Sequence, residues 1–165
     1  MVQQTDEVDR IVGAWKTQRP DLDFSPLEVL SRVDRLSRHL DRARRDAFRR
    51  SDLEPWEWDV LSALRRAGEP FQLSPKHLLQ QTLVSSGTMT NRIDRLVARR
   101  LVHREADPAD GRSVLVTLAD DGRIRVDAAI TRLVDAEATL LAGLSRSDRD
   151  RLAALLRKLS LGFDT

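Results

Sequence analysis

The 165-residue sequence contains no cysteine. Disulfides, thiolate-bound metals and cysteine-liganded clusters are thereby excluded, and the composition fits a reducing compartment. Long apolar runs are missing too. None approaches the roughly 20 residues that span a bilayer, and the N-terminus has no apolar signal core. The expectation is a soluble, cytoplasmic protein without membrane contact. Lysine is scarce, at positions 16, 76 and 158 only, so arginine supplies nearly all of the 28 positive charges that face 26 acidic ones. No GxGxxG, P-loop or nucleophile-elbow pattern occurs, and no Ser–His–acid spacing is suggested. His39, His77 and His103 stand too far apart for metal-ligand spacing. The chain is therefore not read as an enzyme, and no cofactor is expected.

What is present is 41% hydrophobic and 33% charged residues, enough for one compact domain with a real core. The charges are sorted. The first thirty residues lean acidic (Asp6, Glu7, Asp9, Asp21, Asp23, Glu28), and the next twenty lean basic, from Arg32 to Arg50. Arginine's planar fork suits phosphates and guanine edges. A GC-rich genome's codon preference produces the same bias, so composition does not decide between the two.

Periodicity predicts mostly helices. Residues 5–18 carry Val8, Ile11, Val12 and Trp15 at helical spacing, and Pro20 ends the run. "DFSP" starts a second helix over 25–50, with Ser25 as N-cap and Pro26 at the first position. A third carries Trp56, Val60, Leu61 and Leu64 up to Gly68. Ser74-Pro75 opens a short helix to Gln81, and two long helices lie within 119–162, the last one capped at "SRSD". The fold class is mainly α with a small β wing.

The stretch "TMTNRIDRLVARRLVHREADPADGRSVLV" carries the functional signal. The short helix 74–81, a turn, and a helix over about 86–100 capped by Ser85 or Ser86 form a helix-turn-helix. Met89, Ile93, Leu96 and Val97 share one face and are expected to pack inward. The other face presents Ser86, Gly87, Thr88, Thr90, Asn91, Asp94 and Arg95, groups able to read a major groove of double-stranded DNA. The apolar runs that follow, split by "ADPADGR", make a wing over about 101–118, whose tip residue Arg112 suits a narrow minor groove. The winged-helix core is thus expected over 55–118. A sequence-indifferent DNA-binding protein and a helical protein-interaction module are the alternatives left open.

"SSGTMTNRIDRLVARRLV" followed by "DPADGRSVLVTLADDG" resembles the MarR family of bacterial transcription regulators, over about residues 27–160 of this single-domain chain. The resemblance implies a homodimer whose N- and C-terminal helices (25–50 and 119–162) intertwine, and whose paired winged helices bind a pseudo-palindromic operator, commonly as a repressor. Gly111 stands where an arginine is frequent, and Ala119 where a threonine is. The residues agree with a dimer: Ile124, Ala128, Leu133, Leu140, Leu141, Leu144, Leu152, Leu155, Leu156 and Leu159 form apolar stripes too extensive for one small core.

The extra first helix and "AWKTQRPDLDFSP" resemble the urate-responsive (UrtR) branch of that family. The resemblance implies a ligand site at Trp15, Asp59, Arg92 and Arg104. Urate is a flat monoanion near neutral pH, so arginine forks and an indole face suit it. Arg92 falls on the flank of the reading helix, where an anion displacing an Asp59–Arg92 contact would move that helix. Citrate-type acids such as trans-aconitate, and phenolic acids, are the alternative ligands. Each residue also has a plainer reading: Trp15 as a packing anchor, Asp59 as a local cap, Arg92 and Arg104 as phosphate contacts.

Overall fold

The computed structural model describes residues 5–82, 84–108 and 114–163. The chain divides into two compact units, Met1–Ala43 and Arg44–Thr165.

In the first unit, Asp6 starts α1 (Glu7–Gln18) with a reciprocal cap. Its carboxylate accepts the Asp9 N–H at 3.0 Å, and the Asp9 carboxylate accepts the Asp6 N–H at 2.9 Å. Val8 and Val12 bury against Phe24. The helix α2 (Ser25–Arg49) begins one residue before the expected position. The Asp23 carboxylate takes both the N–H and the hydroxyl of Ser25, at 2.9 and 2.8 Å, so Asp23 rather than Ser25 provides the capping oxygen. Part of the basic run on α2 is neutralised inside this unit: Arg32 pairs with Asp6 and Asp9, and Arg35 with Glu7. Exposed pairs of this kind contribute at most about 1 kcal/mol each. They do remove these arginines as an open strip for phosphates.

The second unit holds the main core. The last turn of α2 closes with Asp52 in the left-handed region (φ 52°), and the Leu53 N–H reaches back to the Phe48 carbonyl at 3.0 Å. Phe48 and Leu53 are both buried. α3 (Pro55–Arg66) starts with proline at its first position and buries Val60, Leu61, Ala63 and Leu64 completely. α4 (Pro75–Thr82) follows Ser74, whose hydroxyl accepts the His77 N–H at 3.3 Å. α5 (Ser86–Ala98) is capped by Ser85, whose hydroxyl accepts the Thr88 N–H at 3.3 Å.

α5 stops two residues short of the predicted end. Arg100 takes φ 59°, and the Leu101 N–H bonds to the Leu96 carbonyl at 3.0 Å. This stop usually falls on glycine. Here the burial of Leu96 and Leu101 on the same side holds an arginine in it. Met89, Ile93 and Leu96 are buried as expected, but Val97 is 37% exposed. The apolar face is narrower than its spacing suggested.

β2 (Val102–Ala106) and β3 (Val114–Leu118) pair antiparallel from Val102↔Leu118 to Ala106↔Val114. A two-residue strand β1 (Gln72–Leu73), not foreseen from sequence, adds to the other edge of β3 and gives the order β1-β3-β2. The wing tip, residues 109–113 with Gly111 and Arg112, lies outside the described residues. α6 (Asp120–Leu140) and α7 (Arg146–Ser160, capped by Ser145) complete the chain. Leu133 joins the core, whereas Ile124, Leu140, Leu141, Leu144, Leu152, Leu155, Leu156 and Leu159 are exposed, and α7 buries none of its residues. Among the described residues no helix is long and apolar enough to cross a membrane.

Candidate nucleic-acid interface and ligand site

Anchored through Met89, Ile93 and Leu96, α5 leaves Ser86, Gly87, Thr88, Thr90, Asn91 and Arg95 exposed. The Thr90 hydroxyl donates to the Ser86 carbonyl at 3.1 Å, and the Thr88 hydroxyl lies 2.9 Å from that of Ser85. Both hydroxyls therefore keep local partners, which leaves the Asn91 amide and the Arg95 guanidinium as the longest polar reach of this face. Arg95 lies over the ring of Trp56, with Cζ 4.6 Å from the ring centroid. Asp94, expected on the reading face, is instead ion-paired with Arg104 of β2 at 2.6 Å. That pair ties the wing to the helix.

The four residues singled out for a ligand fall into three settings. Trp15, in the first unit, is 50% exposed and stacks on Phe24, with ring centroids 6.2 Å apart. Asp59 and Arg92 share the space between α3 and α5. Desolvation raises the Asp59 pKa, while the positive charges of Arg92 and Arg66 pull it back. The expected direct Asp59–Arg92 contact is not formed among the described residues; attraction acts across a gap. Arg92 has its Nη1 buried without a hydrogen-bond partner, and its Cζ lies 5.9 Å from the Trp56 centroid. Arg104 is held by Asp94. No group of three or more His, Cys, Asp or Glu side chains suited to a metal ion occurs among the described residues.

Sequence reasoning missed a second constellation. Arg99, at the C-terminal end of α5, binds Glu57 of α3 and also Asp52, which Arg125 of α6 contacts in turn. Glu57 also accepts the Glu54 N–H at 2.9 Å. Its burial depends on contacts distant in sequence, so spacing gave no sign of it. Trp56 was read only as part of the apolar pattern of its helix, and its contacts with Arg92 and Arg95 escaped for the same reason.

Comparison with known proteins agrees with this architecture. A model of the MarR family matches residues 51–113. The HTH-type transcriptional regulator PecS of Dickeya dadantii is 33% identical over 153 residues, covering 93% of this chain and 92% of its own. A Bordetella bronchiseptica BpsR structure, described in terms of regulation of DNA binding by 6-hydroxynicotinic acid, superposes with a TM-score of 0.60 at 32% identity, covering 78% of this chain and 92% of that one. A mutant MarR from E. coli complexed with operator DNA superposes with a TM-score of 0.67 at 24% identity over 94% of this chain and 99% of that one, a likeness of fold. The sequence relationship to PecS, nearly end to end, and the winged-helix architecture lead to one conclusion: the chain belongs to the MarR family of transcriptional regulators.

Proposed function

We propose that this protein binds a pseudo-palindromic operator as a homodimer and is released from it by a small planar anion, with urate the favoured ligand. The observation that carries the ligand half is the buried, unpartnered Nη1 of Arg92 on the helix that exposes Thr88, Asn91 and Arg95. A desolvated donor without an acceptor costs about 1–3 kcal/mol, which an anionic oxygen would recover. Asp59 stands nearby as an acceptor for N–H groups. Urate carries both an anionic oxygen edge and N–H donors. A tricarboxylate offers no N–H donor and would bring several like charges towards Asp59, which argues for the heterocycle. Arg104 and the exposed indole of Trp15 are assigned to the same ligand by their match to the urate-responsive branch.

The regulation of BpsR DNA binding by 6-hydroxynicotinic acid favours a second ligand reading, a hydroxylated aromatic carboxylate of that kind. Dimerisation is supported by the leucines exposed along α6 and α7, a face that a second copy would cover. Ser86, Thr88, Thr90, Asn91 and Arg95 are assigned to the major groove and Arg112 to the minor groove. The sequence-indifferent alternative predicts equal affinity for any duplex with a steep salt slope, and the interaction-module alternative predicts no DNA binding at low salt.

Thermal unfolding across concentrations of urate, trans-aconitate and 6-hydroxynicotinic acid tests the ligand half. A ligand at a hundredfold excess over Kd stabilises the folded state by about 2.7 kcal/mol. A urate-dependent rise that disappears in Arg92→Ala is the expected result. A rise with another of the three would reassign the ligand, and no rise with any would remove the site.

A further inference from the structure

One aromatic ring meets both arginines to which the proposed function gives separate tasks. Trp56, in the first turn of α3, is half-buried. Its centroid lies 4.6 Å from Cζ of Arg95 and 5.9 Å from Cζ of Arg92, and its indole N–H donates to the Glu54 carboxylate at 3.1 Å. Arg92 and Arg95 are three residues apart on α5, close to one helical turn, so both guanidinium groups reach the same ring. A carboxylate on the indole N–H pushes electron density into the ring and strengthens its attraction for cations.

Consider first what the ring does for Arg95. A free arginine loses much rotamer freedom when it docks on a base edge, and a guanidinium held on an aromatic face has already lost part of it. Arg95 is exposed on the reading face, so Trp56 can preorganise it without covering it. Arg92 differs because its buried Nη1 lacks an acceptor. Two like charges one turn apart repel, and here they also compete for one ring. An anion that takes Arg92 sets a negative charge beside the shared ring, which draws the Arg95 guanidinium off the indole face and out of the position that the ring gives it for reading. The sign of this coupling is fixed: ligand weakens reading.

We propose that Trp56 is a positioning residue that sets Arg95 for sequence-specific contact and transmits anion capture at Arg92 to that contact. This rests on the reading in which α5 meets DNA and Arg92 meets the ligand. Trp56 lies neither on the DNA face nor among the residues matched to the ligand, yet selectivity and ligand response depend on its aromatic face.

The test compares wild type, Trp56→Phe and Trp56→Leu by fluorescence anisotropy on an operator duplex and a scrambled duplex, with and without urate, beside urate-dependent melting. Trp56→Phe keeps a ring and is expected to keep selectivity and response. Trp56→Leu is expected to lose about two- to fivefold in operator-over-scrambled selectivity, the size of one exposed cation–π contact. The urate-induced loss of operator affinity should shrink by a similar factor, while urate still raises its melting temperature. Should the leucine variant not fold, Trp56→Met takes its place, with an apolar chain and no ring face. Wild-type selectivity and wild-type response without the ring would overturn the proposal. If urate neither binds nor acts on the wild type, the ligand reading fails and the selectivity arm alone decides: a loss in the leucine variant that phenylalanine restores upholds the placement of Arg95, and no loss overturns it.

Discussion

Nη1 of Arg99 lies 2.6 Å from both carboxylate oxygens of Glu57, whose side chain is only 2% exposed. The same guanidinium uses Nη2 to donate to the Asp52 carbonyl at 2.9 Å and to its carboxylate at 2.7 Å. One arginine at the end of α5 therefore fixes that helix to the start of α3 and to the turn before it. An arginine fork engaging two acceptors at once holds orientation as well as distance.

Arg99→Ala should therefore be costly, because it strands a buried carboxylate with little besides the Glu54 N–H. Breaking a buried pair from one side costs about 3–5 kcal/mol; Arg99 is itself about one-third exposed, so a value near the lower end is expected. The paired change Glu57→Leu with Arg99→Met should recover most of the loss. Urea denaturation of wild type and the two variants measures it. A single variant as stable as wild type would mean the pair holds nothing.

The winged-helix topology was legible in the sequence because its signals are local. The caps at Ser85 and Ser145, the apolar spacing of Met89, Ile93 and Leu96, and the turn-rich segment between two β-branched runs each lie within a few residues. What escaped was decided by distant partners. β1 is two residues long and exists through its pairing with Thr117 and Val116. Arg100 takes a glycine-like conformation because Leu101 is drawn into the core. At the candidate site, residue identities pointed to Asp59, Arg92 and Arg104, but nothing in their spacing revealed that Arg104 is engaged by Asp94.

Gly122, in the first turn of α6, is a backbone contact point. A Cβ there would run into the Leu101 carbonyl oxygen and approach Leu118 Cδ1 at 2.9 Å. The Leu101 carbonyl already accepts the Ala119 N–H at 3.0 Å, so it cannot retreat freely. Gly122→Ala should destabilise the fold by about 1–3 kcal/mol, as overpacking does elsewhere. Chemical denaturation checks this, and an unchanged midpoint would contradict the close approach.

Asp59 predicts an unusual pH dependence. Its folded-state pKa lies above the ordinary value of 3.8 because desolvation outweighs attraction to Arg92 and Arg66. The folded chain thus holds this proton more readily than the unfolded chain. The contribution of Asp59 is most favourable in acid and becomes a penalty as pH rises through the folded pKa. Asp59→Asn should therefore melt above wild type near about pH 7, with the gap closing as pH falls towards the ordinary carboxylate range. A variant that melts lower at neutral pH would show that attraction to the arginines dominates.

The Arg104–Asp94 pair competes with any ligand for Arg104. Both partners are partly exposed, so the pair is worth about 0.2–1 kcal/mol. Asp94→Asn should tighten urate binding by up to about fivefold, as read by calorimetric titration, with little change in stability. Unchanged affinity would leave Arg104 as a strut between wing and helix and remove it from the ligand site.

The central claim is that an anion at Arg92 controls the reading face of α5. The most direct measurement is the affinity of the protein for a duplex carrying its own operator, selected from random DNA, by anisotropy with and without urate, for wild type and Arg92→Ala. A coupling of about 1–3 kcal/mol lowers wild-type affinity about 5–150-fold on adding urate, and the variant should show no such fall. Equal operator affinity with and without saturating urate in the wild type, or an undiminished response in the variant, would contradict it.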